Sequence, residues 1–213
     1  MKNIIGIIFI GIIFFTNCNE NNSAKELKIN SELIEEIKTI KNEDQKWRNL
    51  LTDFENGLTD TLGKERLFKL IRKTDSLNYL EIRRIFREHG FLGYDKIGKE
   101  GSHQFWLIVQ HQDKYPEFQQ RVLEQMKKEV DKGNANSIDY AYLVDRVKVN
   151  TGQLQIYGTQ MQINSDSTSF EPKPVKEFIQ LDERRNQVKL PPIRYYIQTM
   201  NERYFGSLKP KEK

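Results

Sequence analysis

From residue 31 onward, apolar positions recur at helical spacing. Leu33, Ile34, Ile37 and Ile40 share one face of a first helix. Trp47, Leu50, Leu51 and Phe54 share a face of a second, which Gly57 can end. Leu67, Leu70 and Ile71, then Leu77, Leu80, Ile82 and Ile85, make one long helix or two around Asp75-Ser76, closing at His89-Gly90. Residues 91–98 read as a glycine-rich loop. Residues 99–112 form the most apolar helix. Residues 116–132 form the next, with Pro116 in the first turn and Gly133 past the end, followed by a helix over 137–150. At residue 153 the period falls to two. The stretch 153–163 predicts a strand whose parity slips at Gly158, as at a β-bulge, and 168–171 is a short return strand. A short charged helix over 182–189 and a last amphipathic helix after Pro191-Pro192 complete the pattern. The expectation is a mostly α, multi-helix single domain over 31–206 with one small bulged β-hairpin at about residues 153–171. A solvated tail follows at 207–213.

The N-terminus breaks this pattern. Ile4 to Phe15 is an uncharged apolar run behind Lys2, too short for a bilayer, which needs about 20 residues. It has the length of a signal-peptide apolar region, and Cys18 stands where cleavage would fall. Residues 1–17 therefore read as a signal peptide of the bacterial lipoprotein kind, with Cys18 the lipidated first residue of the mature chain. Asn17 departs from the small residue usual before such a cysteine. Residues 18–30 are polar, Asn-rich and read as a tether. The expected location is the cell envelope, periplasmic or at the outer surface, with the membrane as partner through Cys18.

Composition removes several classes. One cysteine excludes an intramolecular disulfide framework and a Cys-based zinc site. With 34 basic and 30 acidic residues, the net charge of +4 gives no reason to expect nucleic acid. His103 and His111 lie about 12 Å apart along a helix, too far to share one ion. No metal and no cofactor is expected. The phosphate-cradling, nucleophile-elbow and H-E-x-x-H motifs are absent from the sequence.

Candidate chemistry lies where charge is missing or misplaced. Opposite the apolar face of helix 99–112 stand His103, Gln104, Leu107, Gln110 and His111, polar yet uncharged, as a pocket lining or a satisfied helix contact would be. Asp145 falls on the apolar flank of helix 137–150. It must be paired, perhaps with Arg184 or Arg185, or be put to use orienting a histidine. Residues 151–163 carry no charge, although 30% of the chain is charged, so the hairpin is covered or lines a polar cavity.

These residues form an ordered series. Asp44-Gln45-x-x-Arg48, His89-Gly90-Phe91, Gln110-His111-Gln112-Asp113 and Asp145-Arg146-Val147 are followed by Gly152-Gln153-x-Gln155-x-Tyr157-Gly158-Thr159-Gln160 and Asp182-x-Arg184-Arg185. The series resembles an uncharacterised bacterial family, domain of unknown function 6624, over roughly residues 40–200, with Phe91 where Trp is expected. The resemblance implies one domain and no named reaction. It marks His111, Asp113, Asp145, Arg146, Gln153, Tyr157, Gln160 and the two arginines. The candidates for acid–base catalysis are His111, Asp145 and Asp113. Those for ligand binding are Gln110, Arg146, Gln153, Tyr157, Gln160, Arg184 and Arg185. Three functions follow as expectations: binding of a small polar or anionic ligand or a partner segment in a neutral polar cleft, hydrolysis by a His/Asp pair, or a pure interaction role of the immunity kind.

Overall fold

The computed structural model describes residues 30–206. The expected signal peptide, Cys18, nearly all of the tether and the tail lie outside the described residues.

Five helices build the main body. The first, α1 (Ser31–Glu55), is one continuous helix where two were expected. Its middle, residues 41–46, is polar but holds neither Gly nor Pro, and extending a helix costs less than nucleating a second one. Asn30 caps it, accepting from the Leu33 amide at 3.0 Å. The buried stripe Leu33, Ile37, Ile40 continues, at the same spacing, into buried Asp44. The second helix, α2 (Lys64–His89), runs unbroken through Asp75-Ser76. The Ser76 hydroxyl donates to the Arg72 carbonyl within the helix, and Asp75 turns outward to Arg48, so neither side chain competes for the backbone. The ties Glu36–Arg84 and Asp75–Arg48 show that α1 and α2 run antiparallel.

Helix α3 (Tyr94–Gln110) starts earlier than expected. Residues 94–97 make a helical turn, and Gly98, at φ 70° and ψ 175°, interrupts it before the apolar stretch. Helices α4 (Pro116–Asp131) and α5 (Ser137–Asn150) follow. One core joins all five, with Ile37, Ile82, Phe105, Ile108, Phe118, Val122 and Leu143 among its least exposed side chains. Tyr79 stacks on Tyr115 and meets Phe118 edge-on, which ties α2 to the start of α4.

Residues 151–206 pack on α5 as a smaller lobe. Its hairpin is short: β1 (Met161–Ile163) pairs antiparallel with β2 (Phe170–Pro172), with Gln162 opposite Glu171. The expected strand over 153–163 is reduced to β1 and an isolated bridge from Gln155 to Val175. The reason is Asp145. Its buried carboxylate accepts from the amides of Ile156 (2.7 Å), Tyr157 (3.0 Å) and Thr159 (2.9 Å) and from the Thr159 hydroxyl (3.0 Å). Donors gathered on one carboxylate are unavailable to a strand ladder. From the other side, Arg184 donates to the Ile156 carbonyl at 2.9 Å and Arg185 to the Tyr157 carbonyl at 2.6 Å. Both arginines sit on α6 (Leu181–Gln187), after a 3-10 turn at Phe178–Gln180, and α7 (Ile193–Phe205) closes the lobe.

The parity slip at Gly158 therefore marks the loop before β1 rather than a bulge within the paired strands. Its φ is +67°, and a Cβ there would meet Ile193 Cδ1 and Leu181 Cδ2, each at 3.3 Å. Gly158→Ala should lower unfolding free energy by about 1–3 kcal/mol through backbone strain and crowding. Chemical denaturation reads this directly, and an unchanged midpoint would show that the loop has freedom to move.

Candidate functional site

A cleft of about 210 Å³ lies where α1, α2, the end of α3 and α5 meet. It is lined by Arg48, Arg72, Asp75, Ser76, His111 to Tyr115, and Arg146. Behind this lining stands Asp44, whose side chain is fully buried, against 13% exposure for that of His111. Asp44 Oδ2 lies 2.8 Å from His111 Nδ1 and accepts from Gln45 Nε2 at 2.7 Å. Arg48 donates to the Asp44 carbonyl at 2.9 Å, approaches Oδ1 at 3.3 Å, and reaches across to Asp75 Oδ1 at 2.8 Å. Burial pushes the Asp75 carboxyl above the usual range, and Arg48 pulls it back. With Asp44 accepting from Gln45 and Arg48, the hydrogen on Nδ1 belongs to His111. That leaves Nε2 as the ring's acceptor, with no hydrogen-bond partner among the described residues.

At the cleft mouth, Asp113 receives both Arg146 Nε (2.8 Å) and Arg146 Nη2 (2.7 Å), with Asn150 Nδ2 also at 2.8 Å. This fork-to-fork pair fixes Arg146 but is half exposed, so it is weaker than the Asp44 cluster. On the floor, Gln112 donates Nε2 to the Ile108 carbonyl at 3.1 Å, while its buried Oε1 has no partner among the described residues. Gln112 Oε1 is thus an unfilled acceptor sealed behind the cleft lining.

The expected site residues separate into groups. His111, Asp113 and Arg146 meet in this cleft. Asp145 does not orient a histidine, because its oxygens are spent on residues 156–159. Burial pushes its carboxyl up, and the three amides and the hydroxyl pull it back. Arg185 is almost wholly buried, with Nε donating to the Pro191 carbonyl at 2.7 Å, and burial lowers its pKa. Arg184 is turned to the carbonyls of Ile156, Lys176 and Glu177. Tyr157 packs beside Ala141, Val188 and Leu190. The Gln160 side chain donates to Thr159. Gln153 lies on a different, wider groove with Lys148. Gln110 lends its carbonyl to Gln119. Of the neutral face read over residues 99–112, His111 lines this cleft, while His103, Gln104, Leu107 and Gln110 do not. His103 pairs with Asp139 at 2.8 Å, a bond that raises its pKa, and Gln104 donates to Glu100. Among the described residues, the cleft at His111 is lined by charged side chains and not by the hairpin.

Asp44, Arg48, Arg72 and Asp75 were not among the expected site residues. The signal for Asp44 was legible, since it stands four residues past Ile40 on an apolar stripe, the same anomaly that singled out Asp145. Among the described residues, no group of three His, Cys, Asp or Glu side chains is placed to hold a metal ion, and no helix is long and apolar enough to cross a membrane.

The sequence matches the family described as "Family of unknown function (DUF6624)" over residues 31–210. The chain belongs to that family. The match covers every element described above. No curated protein and no solved structure matches the chain.

The two aspartates at the cleft should respond differently to truncation. Asp44→Ala leaves the part-buried His111 and Arg48 short of an acceptor and should cost about 1–3 kcal/mol. Asp113→Ala breaks a half-exposed pair and should cost no more than about 1 kcal/mol. Urea denaturation of the two variants checks the order, and equal losses would contradict it.

Proposed function

We propose that this protein is an envelope lipoprotein whose helical domain binds a small anionic ligand in the cleft beside His111. The observation that carries the reading is the lining. Arg48, Arg72, Lys114 and Arg146 surround a concavity to which only Asp75 and Asp113 contribute carboxylates. Arg48 and Arg146 are positioned by their aspartates, whereas the Arg72 guanidinium and the Lys114 ammonium make no hydrogen bond or ion pair among the described residues. Positioned guanidinium groups suit phosphate or carboxylate oxygens. His111 Nε2 would accept from a donor on the ligand.

A second reading has its own observation. A histidine held at Nδ1 by a buried carboxylate, with Nε2 free at a cleft, is a general acid–base arrangement, so hydrolysis of a bound anionic ester is the enzymatic alternative. No serine–histidine or similar nucleophile pair accompanies it among the described hydrogen bonds, which is why binding leads.

Inorganic phosphate, titrated calorimetrically, should bind the wild-type chain. Arg72→Ala and His111→Ala should each weaken binding about tenfold or more, the loss expected for a charged hydrogen bond. Absence of binding, or binding unaffected by both substitutions, contradicts the reading. Release of nitrophenol from nitrophenyl phosphate that disappears in His111→Ala would favour the enzyme. For the anchor, Cys18→Ser should abolish incorporation of labelled palmitate into the chain; retained label would refute lipidation at that residue.

A further inference from the structure

Helix α2 carries eight Lys and Arg against four Asp and Glu, a surplus equal to the formal net charge of the whole chain. Its inner face is apolar and buried through Leu67, Ile71, Ile82 and Ile85. The outer face is where the charge collects. At 100° per residue, Arg66, Lys69, Lys73, Leu77, Leu80 and Arg87 fall within about 80° of one another. Leu77 and Leu80 are 57% and 59% exposed, in the middle of the basic stripe. Arg84 lies at the same angle as Arg66 and is held by Glu36, Glu81 and Glu88. Arg66, Lys69 and Lys73 make no ion pair or hydrogen bond among the described residues. No other described element covers this face.

We infer that the outer face of α2 docks on an anionic lipid surface. The stripe runs about 32 Å along one helix, from residue 66 to 87 at 1.5 Å per residue. Unpaired cations flanking two exposed leucines on one helix suit an anionic lipid interface, which takes up both. Exposed leucines enter the headgroup boundary while flanking Lys and Arg reach the phosphates, the arrangement of helices that lie in the membrane plane. Each cation brought to such a surface strengthens binding about fivefold. The inference is independent of ligand binding in the cleft.

The test uses the full chain with Cys18→Ser, carrying either Leu77→Cys or Ser165→Cys, each labelled with an environment-sensitive fluorophore. Ser165 is exposed in the hairpin turn, on a hairpin that packs against α7 and not α2. Vesicles of phosphatidylcholine with 30% phosphatidylglycerol are compared with phosphatidylcholine alone. The label at 77 should enter an apolar environment on the anionic vesicles only, and the label at 165 on neither. Adding Arg66→Glu, Lys69→Glu and Lys73→Glu should raise the lipid concentration at half-signal about a hundredfold or more. Equal responses at 77 and 165, equal responses on both vesicle types, or insensitivity to the charge reversal would each overturn the inference. The comparison of labels and of vesicles holds without the reversed variant, so a folding defect in that variant leaves the inference open to refutation.

Discussion

Burying a carboxylate costs several kcal/mol unless donors surround it, and two helix aspartates of this fold, Asp44 and Asp145, are completely buried. Asp44 extends the buried stripe of α1 and is satisfied by Gln45, Arg48 and His111. That requirement fixes the end of α3 against α1 and brings Arg48 within reach of Asp75 on α2. Three helices are thereby held in register around one charge. The cleft is the space left on the solvent side of that cluster, so its geometry follows from the way Asp44 is compensated.

Asp145 performs the same task for the smaller lobe by a different route. It is compensated chiefly by backbone amides, and the carbonyls of the same loop are taken up by Arg184 and Arg185. Opposite charges thus act on the two sides of a short peptide segment. The direct ion pair anticipated between Asp145 and an arginine is replaced by one relayed through the peptide groups of Ile156 and Tyr157. The outcome is structural: the loop is pinned, α6 is docked, and the Asp145 oxygens are closed to substrate. A site built from helix side chains, as at His111, is better suited to holding a ligand in fixed geometry than one built on that loop would be.

Periodicity made the helices legible because each buries a face with spacing near 3.6, and the mostly α architecture follows from it. The boundaries were less legible. The continuity of α1 and α2 depends on Asp44 and Asp75 finding partners on another helix, which local pattern does not reveal. The strand over 153–163 had the right alternation and was overruled because Asp145, distant in sequence, claims its amides. The site was half legible for the same reason. His111, Asp113 and Arg146 stood out locally. Their partners Asp44, Arg48 and Asp75 lie on α1 and α2, and only the packing of α1 parallel to α3 brings them together.

The central claim is that Asp44 holds His111 through Nδ1 and presents Nε2 to an anion-binding cleft. Nitrogen NMR of the His111 ring in the full chain tests it most directly. The account predicts that the neutral ring carries its hydrogen on Nδ1, with Nε2 unprotonated, and that the Nε2 resonance moves when inorganic phosphate is added. A ring protonated on Nε2, or an Nε2 resonance indifferent to phosphate, would contradict it.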